Sequence, residues 1–266
     1  MPLPIFLPVM PRLSRWLPAV ILWVATIVLP ARGETTPVEP LPYFELRIYD
    51  VTTNKLAGVL ERFRETVDPV RRRHGICAVG YWTAASPTGE KYVYLMKAAN
   101  AADLATREKA FSADSDFQSG FAASNRKHGK NIEKITTIPL ITDNTAQFSF
   151  APSDPARTFE LREYSVPAAK LAAFRARWQD HAIPIYARHG LQSIGWWQAA
   201  KPDPTGSETF ICLLAGASPA AIQKAIADFH ADPEWRAITE QTEKDGPLRN
   251  GVAVLTLHPT EFSALK

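Results

Sequence analysis

Residues 56–85 return as residues 171–200 at a constant offset of 115, without a gap. Leu56, Ala57, Arg62, Pro69, Arg73, His74, Gly75, Gly80, Trp82, Ala84 and Ala85 all recur in that window, where unrelated segments of ordinary composition share only about two residues. The offset is far longer than the ~20–50 residues of a solenoid unit and fits a compact domain. The chain is therefore a duplication, and each copy must own a core. Upstream, Phe44-Glu45-Leu46-Arg47-Ile48-Tyr49 answers to Phe159-Glu160-Leu161-Arg162-Glu163-Tyr164. Downstream, after three extra residues in the second copy, Phe111 to Phe117 faces Phe229 to Trp235.

Ahead of the first copy, Arg12 and Arg15 precede an apolar run from Trp16 to Leu29, followed by Ala31-Arg32-Gly33. The run is broken by Pro18 and is shorter than the roughly 18–20 residues a spanning helix needs, so residues 1–33 read as a signal peptide cleaved after Gly33. A periplasmic or secreted protein is expected, with no stable membrane span after cleavage. Cleavage removes Arg12, Arg15 and Arg32 from the 30 basic residues and none of the 27 acidic ones, leaving 27 against 27. A neutral chain gives no reason to expect a nucleic-acid partner, which requires a clustered basic face. Arg71-Arg72-Arg73 is the nearest candidate, and it reads as a solvated helix face because the second copy has Tyr186 and Ala187 at the first two positions. Cys77 and Cys212 are not equivalent in the repeat; they read as two buried thiols, and a disulfide between them requires a Cα approach that spacing does not reveal.

Each copy reads as strand, helix, strand, strand, helix, strand. Residues 43–51 alternate, with Phe44, Leu46 and Ile48 on one face and Glu45, Arg47 and Tyr49 on the other, the period of a half-buried strand. Residues 54–74 carry apolar side chains at helical spacing, with Pro69 expected to kink the last turns and Gly75 to end the helix in the left-handed region. Pro184 and Gly190 repeat both signals. Antiparallel hairpins follow, over 77–97 and 192–214. Ser218-Pro219 and Asp232-Pro233-Glu234 each place a capping residue before a proline at the first helical position. Last strands are expected near 131–139 and 250–258. The fold class is α+β: tandem ferredoxin-like, split βαβ domains, with an N-terminal linker over 34–42, copies over 43–140 and 158–260, and a linker over 141–157.

Two helices cover only one face of such a sheet, so the tethered copies are expected to press their open faces together. If Phe44 and Leu46 face the helices, the Glu45, Arg47, Tyr49 face and its counterpart Glu160, Arg162, Tyr164 lie between the sheets. Two readings compete there: ion pairs that fix the register of the copies, or a cavity for an acidic or carbonyl-bearing small molecule. His74 and His189 likewise read either as last-turn residues meeting the helix dipole or as acid–base groups. Tyr81-Trp82 and Trp196-Trp197 either fill core or wall a pocket. No two histidines stand at metal-binding spacing beside a carboxylate, and no nucleophile elbow, phosphate loop, dinucleotide fingerprint or Cys-x-x-Cys is present. No metal and no cofactor are expected.

Phe-Glu-Leu-Arg-x-Tyr, the helix ending in Pro-x-x-x-Arg-His-Gly, the Gly-Tyr/Trp-Trp strand and Phe-x-Ala-Asp-x-Glu/Asp-Trp/Phe, in order and twice, resemble the NIPSNAP family within the dimeric α+β barrel superfamily. The resemblance implies antiparallel sheets paired into an α+β barrel, here as a pseudo-dimer within one chain that is itself open to homo-oligomerisation. Copy one departs from the pattern at Asp116-Phe117 and at Thr66, where copy two has Glu234-Trp235 and His181, so copy two is expected to retain any site. The candidate ligand-binding residues are Arg47, Tyr49, His74, Trp82, Arg162, Tyr164, His181, His189 and Trp197. Two functions follow: an exported module that binds a small apolar or acidic molecule or a protein, or a cofactor-independent monooxygenase or isomerase-like enzyme acting on an apolar, carbonyl-bearing substrate.

Overall fold

The computed structural model describes residues 41–266; the expected signal peptide lies outside them. Copy one contributes β1 (Tyr43–Val51), β2 (Cys77–Ser86), β3 (Gly89–Ala98) and β4 (Ile132–Ile141), with α1 (Leu56–Arg62), α2 (Asp68–Arg73), α3 (Ala101–Ala113) and α4 (Ser115–His128). Copy two contributes β5 (Thr158–Val166), β6 (Gln192–Ala199), β7 (Glu208–Gly216) and β8 (Gly251–Pro259), with α5 (Leu171–Arg177), α6 (Ile183–Arg188), α7 (Pro219–Ala231) and α8 (Pro233–Thr242). The strands close into one antiparallel barrel in the order β1-β3-β2-β8-β5-β7-β6-β4. Each copy supplies a four-stranded ferredoxin-like sheet, and the sheets join through short seams: Trp82 and Thr83 of β2 against Pro259 and His258 of β8, and Leu140 and Ile141 of β4 against Ala199 and Gln198 of β6.

The copies do meet, but through the opposite face from the one expected. Phe44, Leu46, Trp82, Val93, Leu95 and Leu140 point into the barrel against Phe159, Leu161, Trp197, Ile211, Leu213 and Leu257, whereas Arg47, Tyr49, Arg162 and Tyr164 lie under the helices. The physical reason is solvation. A closed barrel whose central free space is only about 10 Å³ cannot hydrate or pair two rows of charge, while the sheet–helix layer offers helix-borne partners such as Glu108. Gly80 and Gly195 let the indole two residues on lie across the strand. A Cβ would stand 2.4 Å from Trp82 at Gly80, and 2.7 Å from Phe148 and 2.8 Å from Trp197 at Gly195.

The segment between the copies also belongs to the core. Phe148 stacks on Trp197 at 5.4 Å and packs against Phe44 at 4.9 Å, with Phe150 beside it, while the Ser149 amide donates to the Ile194 carbonyl. Phe262 of the C-terminal tail meets Tyr81, and fully buried Leu265 joins the barrel interior. The end of the barrel near Phe44 is thereby stoppered. Its other end opens as a mouth of about 320 Å³ beside Ile48, Asp50, Lys91 and Glu163, where burial pushes the Glu163 carboxyl upward.

Proline does not break the first helix of either copy. A π-turn over Phe63–Val67 precedes Pro69, and another over Trp178–Ala182 precedes Pro184; the Asp68 and Ile183 amides reach back to the carbonyls of Phe63 and Trp178. The wider turn makes room where the ring would meet a carbonyl, so the expected kink becomes a bulge at the same place in both copies. Gly75 and Gly190 end the helices at φ +69° and +87°. Cys77 is exposed rather than buried, Cys212 is buried, and both are free thiols.

Candidate functional site

The polar face of β1 forms a paired network beneath the copy-one helices. Arg47 Nε donates to Glu45 Oε1 at 2.6 Å, its Nη1 reaches the Tyr94 hydroxyl at 3.3 Å and Glu108 at 3.4 Å, and the Tyr49 and Tyr94 hydroxyls bond at 2.7 Å. In copy two, Arg162 donates to Glu160 from Nε and Nη2 at 2.8 and 2.7 Å and from Nη1 to Tyr164 at 3.4 Å. Burial pulls the Arg47 and Arg162 pKa values down, but the neighbouring tyrosines and carboxylates more than reverse it, and both guanidiniums stay charged. These residues hold sheet to helix by ion pairing.

Beside this network lie two equivalent spaces of very different size. In copy one, a cavity of about 750 Å³ opens between sheet and helices, lined by Tyr49, Arg62, Phe63, Arg71, Phe117 and Asn125 among others. In copy two the corresponding space is about 80 Å³. Trp178 stands where copy one has Phe63, Trp235 where it has Phe117, and Tyr186 where it has Arg71; Tyr186 stacks on Phe229 at 3.9 Å and Phe229 packs on Trp235 at 4.3 Å. Larger rings fill copy two. The volumes thus favour copy one, opposite to the expectation from the motif residues.

Packed beside the copy-one cavity are buried donors that nothing satisfies. Arg71, 3% exposed, meets Glu108 with Nη2 at 3.1 Å, while its Nε and Nη1 have no partner among the described residues, nor does Nδ2 of buried Asn131. Arg71 is therefore not part of a solvated face; only Arg72 and Arg73 are exposed. Arg62, 5% exposed, donates from Nε to Ser124 at 2.9 Å and from Nη2 to Asn125 at 2.6 Å, over the ring of Phe121. No carboxylate faces it, and burial pulls its pKa down. Arg62, Arg71, Asn125 and the phenylalanines were not among the candidate ligand-binding residues read from the sequence. The signal lay in comparing the copies downstream of the three-residue insertion, where Ser124 and Asn125 align with Thr242 and Glu243.

The nine candidates do not converge. Arg47 and Tyr49 lie beside the copy-one cavity, and Arg162 and Tyr164 beside the small copy-two space. Trp82 and Trp197, each 1% exposed, are barrel core and face no cavity that could hold a ligand. His181 is half-buried on the copy-two π-turn and lines neither space. His74 and His189 are last-turn residues whose Nε2 atoms each meet an aspartate at 2.8 Å, Asp114 and Asp232. Each aspartate also caps the next helix through its Oδ1 and pairs with Arg73 or Arg188. Hydrogen bonds from the arginine and then the histidine hold both carboxyls below the usual carboxylate range. A depressed folded pKa stabilises above the unfolded value near 4, and that stability is lost as pH falls toward the folded value. In urea titrations between about pH 2 and 5, Asp114→Asn/Asp232→Asn is expected to show a flatter acid-side loss of stability than the parent. An unchanged slope would remove the clusters from the account of acid sensitivity. Among the described residues no group could hold a metal ion and no helix is long and apolar enough to cross a membrane.

A family model described as NIPSNAP matches residues 44–141 and again 159–264. Among curated proteins, none matches the chain. Among solved structures, it is similar to two proteins described as putative monooxygenases. The one from Fusobacterium nucleatum has 10% identity, with 84% of this chain and 94% of that one covered at a TM-score of 0.58. The one from Lactobacillus acidophilus has 14% identity, with 82% and 93% covered at a TM-score of 0.51. A NIPSNAP domain protein of Burkholderia xenovorans, 18% identical, covers 38% of this chain and 95% of its own at a TM-score of 0.34. At such identities the likeness to the two longer chains is one of fold.

Proposed function

The chain belongs to the NIPSNAP family, and from that premise we propose that its first copy binds a small molecule with a large apolar body between sheet and helices. The observation that carries this reading is the contrast of about 750 Å³ in copy one with about 80 Å³ in copy two and about 10 Å³ inside the barrel. The first value lies in the range of small-molecule sites, roughly 300–1,000 Å³. Phe63, Phe111, Phe117 and Phe121 supply apolar wall, and Arg62 and Asn125 supply polar anchors. On this reading copy two is the filled partner that completes the barrel. The periplasmic or secreted location is part of the proposal; a mature N-terminus before Trp16 would exclude it.

The test transplants copy two into copy one. Phe63→Trp/Phe117→Trp places indoles where copy two already holds Trp178 and Trp235, so the fold is expected to survive. Native mass spectrometry and binding of N-phenyl-1-naphthylamine, an apolar fluorescent probe, are expected to show ligand on the parent and a loss of about tenfold or more on the filled variant. Equal binding by both would place the ligand elsewhere.

A second reading makes the same cavity an oxygenase or isomerase-like site for a carbonyl-bearing substrate. It draws on the fold shared with the two monooxygenase-described proteins and on the Tyr49 hydroxyl at the cavity wall, bonded to Tyr94, which burial keeps protonated as a hydrogen-bonding group for a carbonyl. Conversion of a co-purified ligand to an oxygenated product of higher mass under oxygen, or to an isomer of unchanged mass and altered chromatographic retention, would favour it over simple binding.

A further inference from the structure

We infer that the cavity of copy one selects an anionic ligand and that Arg62 is its counter-ion, in the place where copy two supplies its own carboxylate, Glu243. The inference rests on the binding role proposed for that cavity and specifies the ligand's charge.

The two copies make a natural comparison. Arg177 of copy two, equivalent to Arg62 and equally buried, donates from Nη1 to Thr242 at 3.1 Å and to Glu243 at 2.8 Å. The equivalent residues in copy one are Ser124 and Asn125, on the same helix and in contact with the same arginine. The geometry is kept while the negative charge is gone. An amide oxygen accepts one hydrogen bond from a guanidinium but neutralises nothing, and a buried cation without a counter-ion is costly.

Charge counting among the groups packed in the layer agrees, and at the exposed rim of the cavity Lys130 is paired with Glu133 while Lys134 adds a further positive charge. Beneath the copy-one helices, Arg47, Arg62 and Arg71 face Glu45 and Glu108, while Asp68 is matched by Arg72. Three guanidiniums against two carboxylates leave one positive charge, and it falls on Arg62, the member without a carboxylate. In copy two, Arg162 and Arg177 face Glu160 and Glu243, and the layer is neutral. Arg249 also lines the small copy-two space, but it is half-buried and open to water. The uncompensated charge and the open volume thus occur in the same copy, and a bound anion would satisfy both: its apolar body against Phe63, Phe117 and Phe121, and its acidic group on Arg62. A carboxylate or sulfonate matches the planar fork of such side chains.

The experiment uses a matched probe pair, 8-anilino-1-naphthalenesulfonate and N-phenyl-1-naphthylamine, which share an aromatic body and differ in the acidic group. On the parent, the sulfonate is expected to bind about tenfold or more tightly than the neutral probe, the scale of one charge-assisted hydrogen bond. Asn125→Glu, which restores the copy-two arrangement, is expected to bring the ratio of sulfonate to neutral-probe affinity down to about one; Arg62→Gln, should the first variant fold poorly, is expected to do the same, each ratio being read against the variant's own neutral-probe affinity. Circular dichroism and Tm check the fold of each. Equal affinity for the two probes on the parent would overturn the anion inference and leave the cavity reading standing. A sulfonate preference that survives both substitutions would overturn the role of Arg62. Failure of both probes to respond to the Phe63→Trp/Phe117→Trp filling would sink the cavity reading itself.

Discussion

Arg162→Met is expected to destabilise the chain by about 3–5 kcal/mol, because it strands Glu160 in a layer that water does not reach. For a chain of this size that is on the order of 10 °C in Tm. Glu160 and Arg162 are 8% and 7% exposed, and the pair is bidentate on a single carboxylate oxygen, with the Tyr164 hydroxyl as the remaining acceptor. Methionine nearly matches the volume of the arginine stem, so the loss reports electrostatics rather than a cavity. The double variant Glu160→Leu/Arg162→Met should recover most of it, since replacing both partners of a buried pair with apolar groups is often neutral. Urea denaturation of the three proteins decides the matter: a single variant as stable as the parent would mean that the pair is solvated and that the sheet–helix layer of copy two is not dry.

Trp197→Ala should cost as much through a different mechanism. The indole lies 5.4 Å from Phe44 and 5.4 Å from Phe148, so it joins strands of both copies to the segment between them. Deleting it removes apolar contact and leaves a void that a closed barrel cannot collapse to fill, about 3–5 kcal/mol for such truncations. Part of the cost is offset because the indole Nε1 has no acceptor in that interior, and its loss relieves an unsatisfied donor. Trp197→Phe, which keeps most of the packing and carries no donor, should therefore lose much less. Thermal unfolding of the two variants tests the packing, since both remove the donor. A mild Trp197→Ala effect would place the ring outside the shared core, and equal losses for both variants would mean that a phenylalanine ring keeps none of the packing.

Much of this fold was legible because the repeat supplies an internal standard. Equal spacing of Pro69 and Pro184, Gly75 and Gly190, and Gly80 and Gly195 marked helices and strands twice, and the Ser218 and Asp232 caps form as their sequences require. The direction of the strand faces was not legible. Alternation says that Phe44 and Arg47 point opposite ways, not which of them meets the other copy. The core role of the segment holding Phe148 and Phe150 was hidden by its turn-forming composition, and the aspartate partners of His74 and His189 lie some 40 residues away in sequence. The candidate cavity was missed for a related reason: pattern reading looks for residues that recur, whereas Asn125 and Phe63 matter where the copies differ.

Sequence alone determined that the chain is a duplication, that each copy is a split βαβ unit, and that its first strand has one apolar and one charged face, since periodicity and turn chemistry are local properties of the chain. Tertiary structure alone decided which face closes the barrel and which copy keeps a cavity. Both depend on what side chains far apart in sequence can fill or neutralise: a sealed interior accepts only the apolar rows, and the volume left beneath the helices is set by whether Trp178 and Trp235 or Phe63 and Phe117 stand there.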